Sequence, residues 1–258
     1  MNTAELQMVG SISLLDLDII SKSYGRDFLP YPFMFTQPTR FTWEHEYVEY
    51  AQSVPERFNH GDLAMFQQCA GAYAYADIRV ECQVQYIPAD TPNVRVVACR
   101  LDQTGFLAKQ KPDDDVIDVY ELSPYLLGPA VAGAAELDKP GRHSGIVIPE
   151  YAGSCDNSAA SEDVTLQETL EGEPSAASVP RAQVTAFATV QSHWRPTRRW
   201  GLDRAKNYGV WVRIKDDGEY LYTPDFSVAR PVTPSALAER IDRLISEDVK
   251  ALRQFRSG

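Results

Sequence analysis

The residues of this 258-residue chain that could do chemistry include four histidines and four cysteines. His45, His60, His143 and His193 share no metal-ligand spacing. His45-Glu46 opens the start of a metalloprotease helix motif, but position 49 is Glu49 where the second histidine would stand. Gly141-Arg142-His143-Ser144-Gly145 puts a histidine beside a serine without the nucleophile at the centre of a G-x-S-x-G elbow. Adjacent residues on a strand or turn rarely present both groups to one substrate, so a hydrolase is not expected. Cys69, Cys82, Cys99 and Cys155 are widely spaced, and no C-x-x-C occurs. Reduced, buried thiols are expected, and neither zinc nor any other cofactor. Asp113-Asp114-Asp115 lacks the ligand series of a calcium loop and reads as a solvated turn. Phosphate-binding glycine loops are absent. The chain is not expected to be an enzyme.

One segment keeps several readings open. Arg195, Arg198, Arg199, Arg204 and Lys206 interleave with Trp194 and Trp200. Such a mixture suits stacking on single-stranded nucleic acid, a protein interface anchored by Trp and Arg, or a strand with solvated arginines. The net charge of −11 weighs against nucleic acid. Much of that charge falls in a connector near 150–175, where Glu150, Asp156, Glu162, Asp163, Glu168, Glu171 and Glu173 occur without Lys or Arg. No apolar stretch approaches a membrane span, and the first residues lack a secretion signal's basic start. A cytoplasmic protein with no membrane partner is the expectation.

The elements that must position these residues follow from periodicity. A strand is expected over 11–15, then a helix capped by Asp16 or Asp18 and stopped by Gly25. Thr42 and Asp62 are expected to open two further helices. Alternation at Ile78, Val80, Cys82, Val84 and Tyr86 predicts a half-buried strand, followed by strands over 94–100, 106–109 and 116–122. A short strand over 144–149 echoes 11–15, and Asp163 or Thr165 opens another helix. Pro180 predicts a helix through Val190, and 194–200 reads as a strand. Strands over 208–214, 219–223 and 226–230 complete the set. Leu122-Ser123-Pro124 with Leu127 and Val131 recurs as Val232-Thr233-Pro234 with Leu237 and Ile241, each after a run of strands. Ser or Thr before Pro is helix-start chemistry, so both copies are expected to cap helices. The whole predicts an α+β fold whose antiparallel sheet is shared by two related halves, 1–143 and 144–258, forming one intertwined unit.

These segments together resemble the EspG family of ESX (type VII) secretion-associated proteins of actinobacteria. The resemblance rests on 11–24 with Pro30-Tyr31-Pro32, on the strands from Asp77 to Lys109, and on Leu122-Ser123-Pro124. It continues through Pro180-Arg181-Ala182-Gln183-Val184, Asp217-Gly218-Glu219-Tyr220-Leu221 and Pro234. Glu219 departs from the family's usual Arg, and the 88–93 loop is short for the family. The resemblance implies a central antiparallel sheet flanked by two helical bundles with quasi-two-fold related halves. It implies a cytosolic chaperone that binds PE–PPE heterodimers, or a similar secreted client, at the tip of the PPE subunit. It also implies a client surface made from the 88–93 loop, the sheet face and the C-terminal bundle. The candidate contacts are Pro88, Ala89, Asp90, Thr91, Pro92 and Asn93, with Trp194, Arg198, Arg199, Trp200 and Trp211 as candidate anchors. Trp211 alternates with Val210 and Val212, so burial in the core is its alternative. A non-enzymatic adaptor with another protein client is the alternative function. The protein itself is expected as a monomer or weak homodimer.

Overall fold

The computed structural model describes residues 6–88, 90–152, 176–195 and 200–258. β1 (Gln7–Ser13) runs directly into α1 (Leu14–Ser23). Ser13, and neither Asp16 nor Asp18, caps α1: its hydroxyl accepts from the Asp16 N–H at 3.0 Å. Burial of Leu14 starts the helix early, which leaves Asp16 inside the first turn. Gly25, at φ +70°, stops the chain after it as expected. α2 (Glu44–His60) begins after Trp43. Thr42 does not cap it; the Glu46 carboxylate reaches back to the N–H groups of Thr42 and Trp43 at 2.8 and 3.1 Å. Asp62 is engaged with Arg57, so the chain first makes a 3-10 turn, Ala64–Phe66, and only then α3 (Gln67–Ala74).

Four antiparallel strands follow as a meander: β2 (Ile78–Tyr86), β3 (Val94–Leu101), β4 (Thr104–Gln110) and β5 (Val116–Leu122). The next helix, α4 (Leu127–Ala134), starts later than expected. Ser123 to Leu126 form a β-turn, with the Leu126 N–H on the Ser123 carbonyl at 3.0 Å. Pro124 therefore uses its fixed φ at the second turn position, not inside a helix. β6 (Ile146–Val147), α5 (Pro149–Ala152) and β7 (Ala177–Ser178) are short. The expected helix opening at Asp163 or Thr165 lies outside the described residues, as does most of the acidic connector.

The helix expected from Pro180 is instead one 3-10 turn, Arg181–Gln183, and a ten-residue strand, β8 (Val184–His193). Val184, Ala186, Ala188 and Val190 are buried at alternate positions, and a period of two excludes a helix. The strand expected over 194–200 is absent among its described residues, because β8 ends at His193. β9 (Tyr208–Ile214), β10 (Gly218–Tyr222) and β11 (Ala229–Pro231) complete the sheet. α6 (Pro234–Ser257) is capped as expected, with the Thr233 hydroxyl on the Ala236 N–H at 3.1 Å.

The result is an α+β fold on one 11-stranded sheet, ordered β1-β5-β4-β3-β2-β8-β9-β10-β11-β6-β7. Every pairing is antiparallel except β6 with β7. About the central β2–β8 pair the order mirrors itself: each side is a four-stranded meander whose last strand pairs with a strand from before it, β5 with β1 and β11 with β6. Alternate residues separate the cores. Val80, Cys82, Val96, Ala188, Val190 and Trp211 face α4 and α6. Val97, Cys99, Ile117 and Val119 face α1, α2 and α3 on the other side. Val210, Val212, Ile214 and Tyr220 form a third cluster with Ile146 and Ile148. α4 and α6 cross so closely that a Cβ on Gly128 would lie 2.1 Å from the Asp242 carboxylate.

Candidate functional site

The 88–93 loop closes the β2–β3 hairpin. Two prolines remove backbone donors there, and the Asn93 side chain replaces strand pairing by accepting the Tyr86 N–H at 2.9 Å. The Thr91 N–H bonds the Pro88 carbonyl at 3.2 Å, and the Ile87 N–H bonds Thr185 at 2.9 Å, tying the loop's root to β8. Pro88 and Asp90 are exposed, and Thr91, Pro92 and Asn93 half-buried; Ala89 lies outside the described residues. Ile87 was not singled out by the sequence reading, yet its side chain is 58% exposed and is the apolar group beside the loop. The signal was present: an isoleucine between a strand's last residue and a turn proline.

The aromatic candidates stand elsewhere. Trp194 packs half-buried against the main core, with its ring 5.5 Å from that of Phe255 on α6. The Arg195 guanidinium covers both rings, at 4.0 and 4.4 Å from their centroids. Trp200, 47% exposed, meets Tyr31 edge-on at 5.0 Å. Arg198 and Arg199 lie outside the described residues. Trp211 is 2% exposed in the core, so its ring offers nothing to a partner; it lies on the face that α4 and α6 cover, while Val210 and Val212 pack in the third cluster. The β2–β8 register pairs Arg79 with His193 and Tyr86 with Ala186. At about 3.3 Å per residue, the aromatic group and the 88–93 loop are therefore roughly 23 Å apart, at opposite ends of one strand pair.

The central strand pair between them is covered by helices on one face and partly covered on the other, where Gln85 is exposed and Thr185, Phe187 and Thr189 are half-buried. Val80 and Cys82 lie under α4 and α6, and the other face of β2 carries buried Arg79, Glu81 and Gln83. Alternation predicts a half-buried β2; the polar side chains of Arg79, Glu81 and Gln83 are buried too, because β2 is a central strand and Tyr31 reaches over it. The Tyr31 hydroxyl donates to Gln83 at 2.7 Å. Glu81 receives Arg79 at 2.8 Å and the His193 imidazole at 3.3 Å. Gln191 bonds both the N–H and the carbonyl of Asp203, at 2.8 and 2.7 Å. A polar seam thus runs along the central strand pair. A cavity of about 10 Å³ beside Arg79 and His193 has room for one water at most.

The remaining chemical candidates serve the fold. The His143 N–H donates to the Tyr220 hydroxyl at 3.0 Å, and that hydroxyl donates to Asp217 at 2.5 Å. Burial opposes the Asp217 carboxylate, but hydrogen bonds from Tyr220 and Arg142 hold its pKa below the usual value. The segment 141–145 is thus a strap over Tyr220, whose ring would lie 1.9 Å from any Cβ on Gly141. Cys69, Cys82 and Cys99 are unpaired, and burial pushes the Cys69 and Cys82 thiols up to about 12, which keeps them protonated and unreactive. Cys155 lies outside the described residues. Among the described residues no cluster of His, Cys, Asp and Glu could hold a metal, and no helix is long and apolar enough to cross a membrane.

The sequence model of the EspG family matches residues 13–243, nearly the whole of this architecture. The chain belongs to the EspG family. Among solved structures, it is similar to the Mycobacterium tuberculosis type VII secretion system chaperone EspG5, solved in complex with a PE25–PPE41 dimer. The identity is 10% and the TM-score 0.45, with 91% of this chain and 95% of that chain covered. No curated protein matches the chain. In this EspG chain, Glu219 is buried and pairs with Arg213 at 2.5 Å, and its backbone carbonyl accepts from Val232 and Gly141. Its side chain is turned to internal packing and presents nothing at the surface.

Proposed function

We propose that this EspG-family protein is a cytosolic chaperone of type VII secretion that binds a PE–PPE heterodimer at the apolar tip of its PPE subunit and delivers it for export. The family match over residues 13–243 carries the reading. A client with an exposed apolar tip aggregates unless it is covered, and covering it needs apolar anchors with a polar rim and no catalytic group. The proposed surface has two parts. One is Ile87 with Pro88, Ala89, Asp90, Thr91, Pro92 and Asn93. The other is Trp194, Trp200 and Phe255 with Arg198 and Arg199. An interface burying about 800 Å² per partner is broad enough to span both ends of the strand pair. The sheet face under α4 and α6 is left out of this surface, as is Trp211. The protein works without a cofactor, as a monomer or weak homodimer.

Co-expression with a PE–PPE pair encoded at the same locus tests this. A stable ternary complex is expected on gel filtration, with Ile87→Glu weakening it about tenfold or more. Failure to form a complex with any such pair at micromolar concentration would sink the proposal.

A further inference from the structure

A cavity of about 550 Å³ opens at the β4–β5 turn, within the size range of ligand sites. Its walls are Leu15, Phe35, Phe41 and Tyr47, and Asp114 and Asp115 line it from the turn. The site is built, not incidental. Asp115 accepts from the Thr36 N–H at 2.6 Å and the Thr36 hydroxyl at 3.0 Å. The buried Gln110 amide donates to the carbonyls of Met34 and Asp114 at 2.9 and 3.0 Å. Segment 34–37 is therefore pinned to the acidic turn before any ligand arrives.

The lining holds three carboxylates, Asp18, Asp114 and Asp115, and one cation, Arg40. Asp18, at the rim, is paired with Lys22 at 2.7 Å. The Arg40 guanidinium lies over the rings of Tyr50 and Phe41, at 4.2 and 5.1 Å from their centroids. Asp114 and Asp115 make no salt bridge among the described residues; Asp115 takes hydrogen bonds from neutral donors, and the charge of Arg95 acts on it from beyond salt-bridge distance. Aromatic walls with more carboxylates than cations suit a guanidinium, which stacks on rings and forks onto a carboxylate. Arg40 already shows such stacking on this aromatic cluster.

The cavity also adjoins β1 through Ser13, and β1 is the terminal strand of the sheet. It carries a register shift between Met8 and Gly10, and its residues, QMVGSIS, include neither the charges nor the prolines that usually guard an edge. We propose that an extended, arginine-bearing segment of a partner polypeptide pairs with the free edge of β1 and places its arginine in this cavity. The surface differs from the client surface proposed above, and the inference does not rest on that reading: either binding test can fail with the other intact.

The test uses the full chain and acetyl-Val-Thr-Val-Arg-Leu-amide, with Glu or citrulline replacing Arg in control peptides. The Arg peptide is expected to bind saturably and about tenfold tighter than the Glu peptide, a gap that narrows as salt screens exposed charge. It should also slow hydrogen exchange of β1 amides, and Asp114→Asn or Phe35→Ala, both at exposed positions, should weaken it several-fold. Equal affinity for the Arg and Glu peptides, or no binding at millimolar peptide, overturns the proposal. So does arginine amide binding as tightly as the peptide, which would make the cavity a small-molecule site.

Discussion

Asp217 and Glu219 stand two positions apart, and their surroundings move them in opposite directions. Burial raises the Glu219 pKa above 4.5 despite Arg213, whereas hydrogen bonds from Tyr220 and Arg142 outweigh burial and bring Asp217 below 3.8. The signs of the stability effects follow from which state holds protons more tightly. Folded Glu219 binds its proton more tightly than the unfolded chain does, so its contribution improves as pH falls from its folded pKa towards 4.5. Asp217 contributes fully above 3.8, and that contribution is lost as pH falls through its lower folded pKa. Urea unfolding across this range should therefore show Glu219→Gln flattening the limb above pH 4.5 and Asp217→Asn flattening the acid limb. Identical pH profiles for wild type and both variants would show that neither carboxylate is held as described. At this scale, the motif of His143 beside Ser144 was legible in sequence and its purpose was not. Tyr220, the partner that explains the strap, lies 77 residues away.

Ser123-Pro124 and Thr233-Pro234 look alike as sequence and do different work as structure. The Thr233 hydroxyl satisfies an orphan N–H of α6, and Pro234 occupies the first helical turn. Ser123 sits in a β-turn, where its hydroxyl accepts only a long bond, 3.5 Å, from the Tyr125 N–H. Thr233→Ala is expected to cost about 1 kcal/mol, the usual value of a lost cap. That corresponds to a fall in melting temperature of roughly 2–4 °C for a chain of this size. Ser123→Ala should stay within about 0.5 kcal/mol, as surface changes away from caps do. Equal losses for the two variants would show that both hydroxyls cap. The apolar residues after each motif were read correctly: Leu127, Val131, Leu237 and Ile241 are all buried. What differed was how far the chain had to turn before reaching the core.

At the scale of the molecule, the mirrored strand order makes each side depend on the other. β2 finds one partner in β3 and the other in β8, and α6 packs on α4, β8 and β2. Cutting between 143 and 144 would strip β2 of a neighbour and bare the apolar face that α6 covers. The buried Arg79–Glu81–His193 group would also lose its histidine, leaving desolvated charge less well satisfied. Residues 1–143 and 144–258 expressed separately are expected to lack a cooperative unfolding transition, and to regain one when co-expressed. A sharp transition and a dispersed NMR spectrum from either half alone would refute this mutual dependence.

Composition and alternation were sufficient, by themselves, for the α+β class, for the strands at 78–86, 116–122 and 208–214, and for the long C-terminal helix. Those signals are local: side chains two or four positions apart declare which face they share. Tertiary structure alone decided that 184–193 is a strand between β2 and β9, and that the polar side chains of Arg79, Glu81 and Gln83 on β2 are buried. It also placed Trp211 under a helix, and set the 88–93 loop and Trp194 at opposite ends of one strand pair. In each case the deciding partner lies far along the chain, and a local pattern carries no record of which distant surface will cover it.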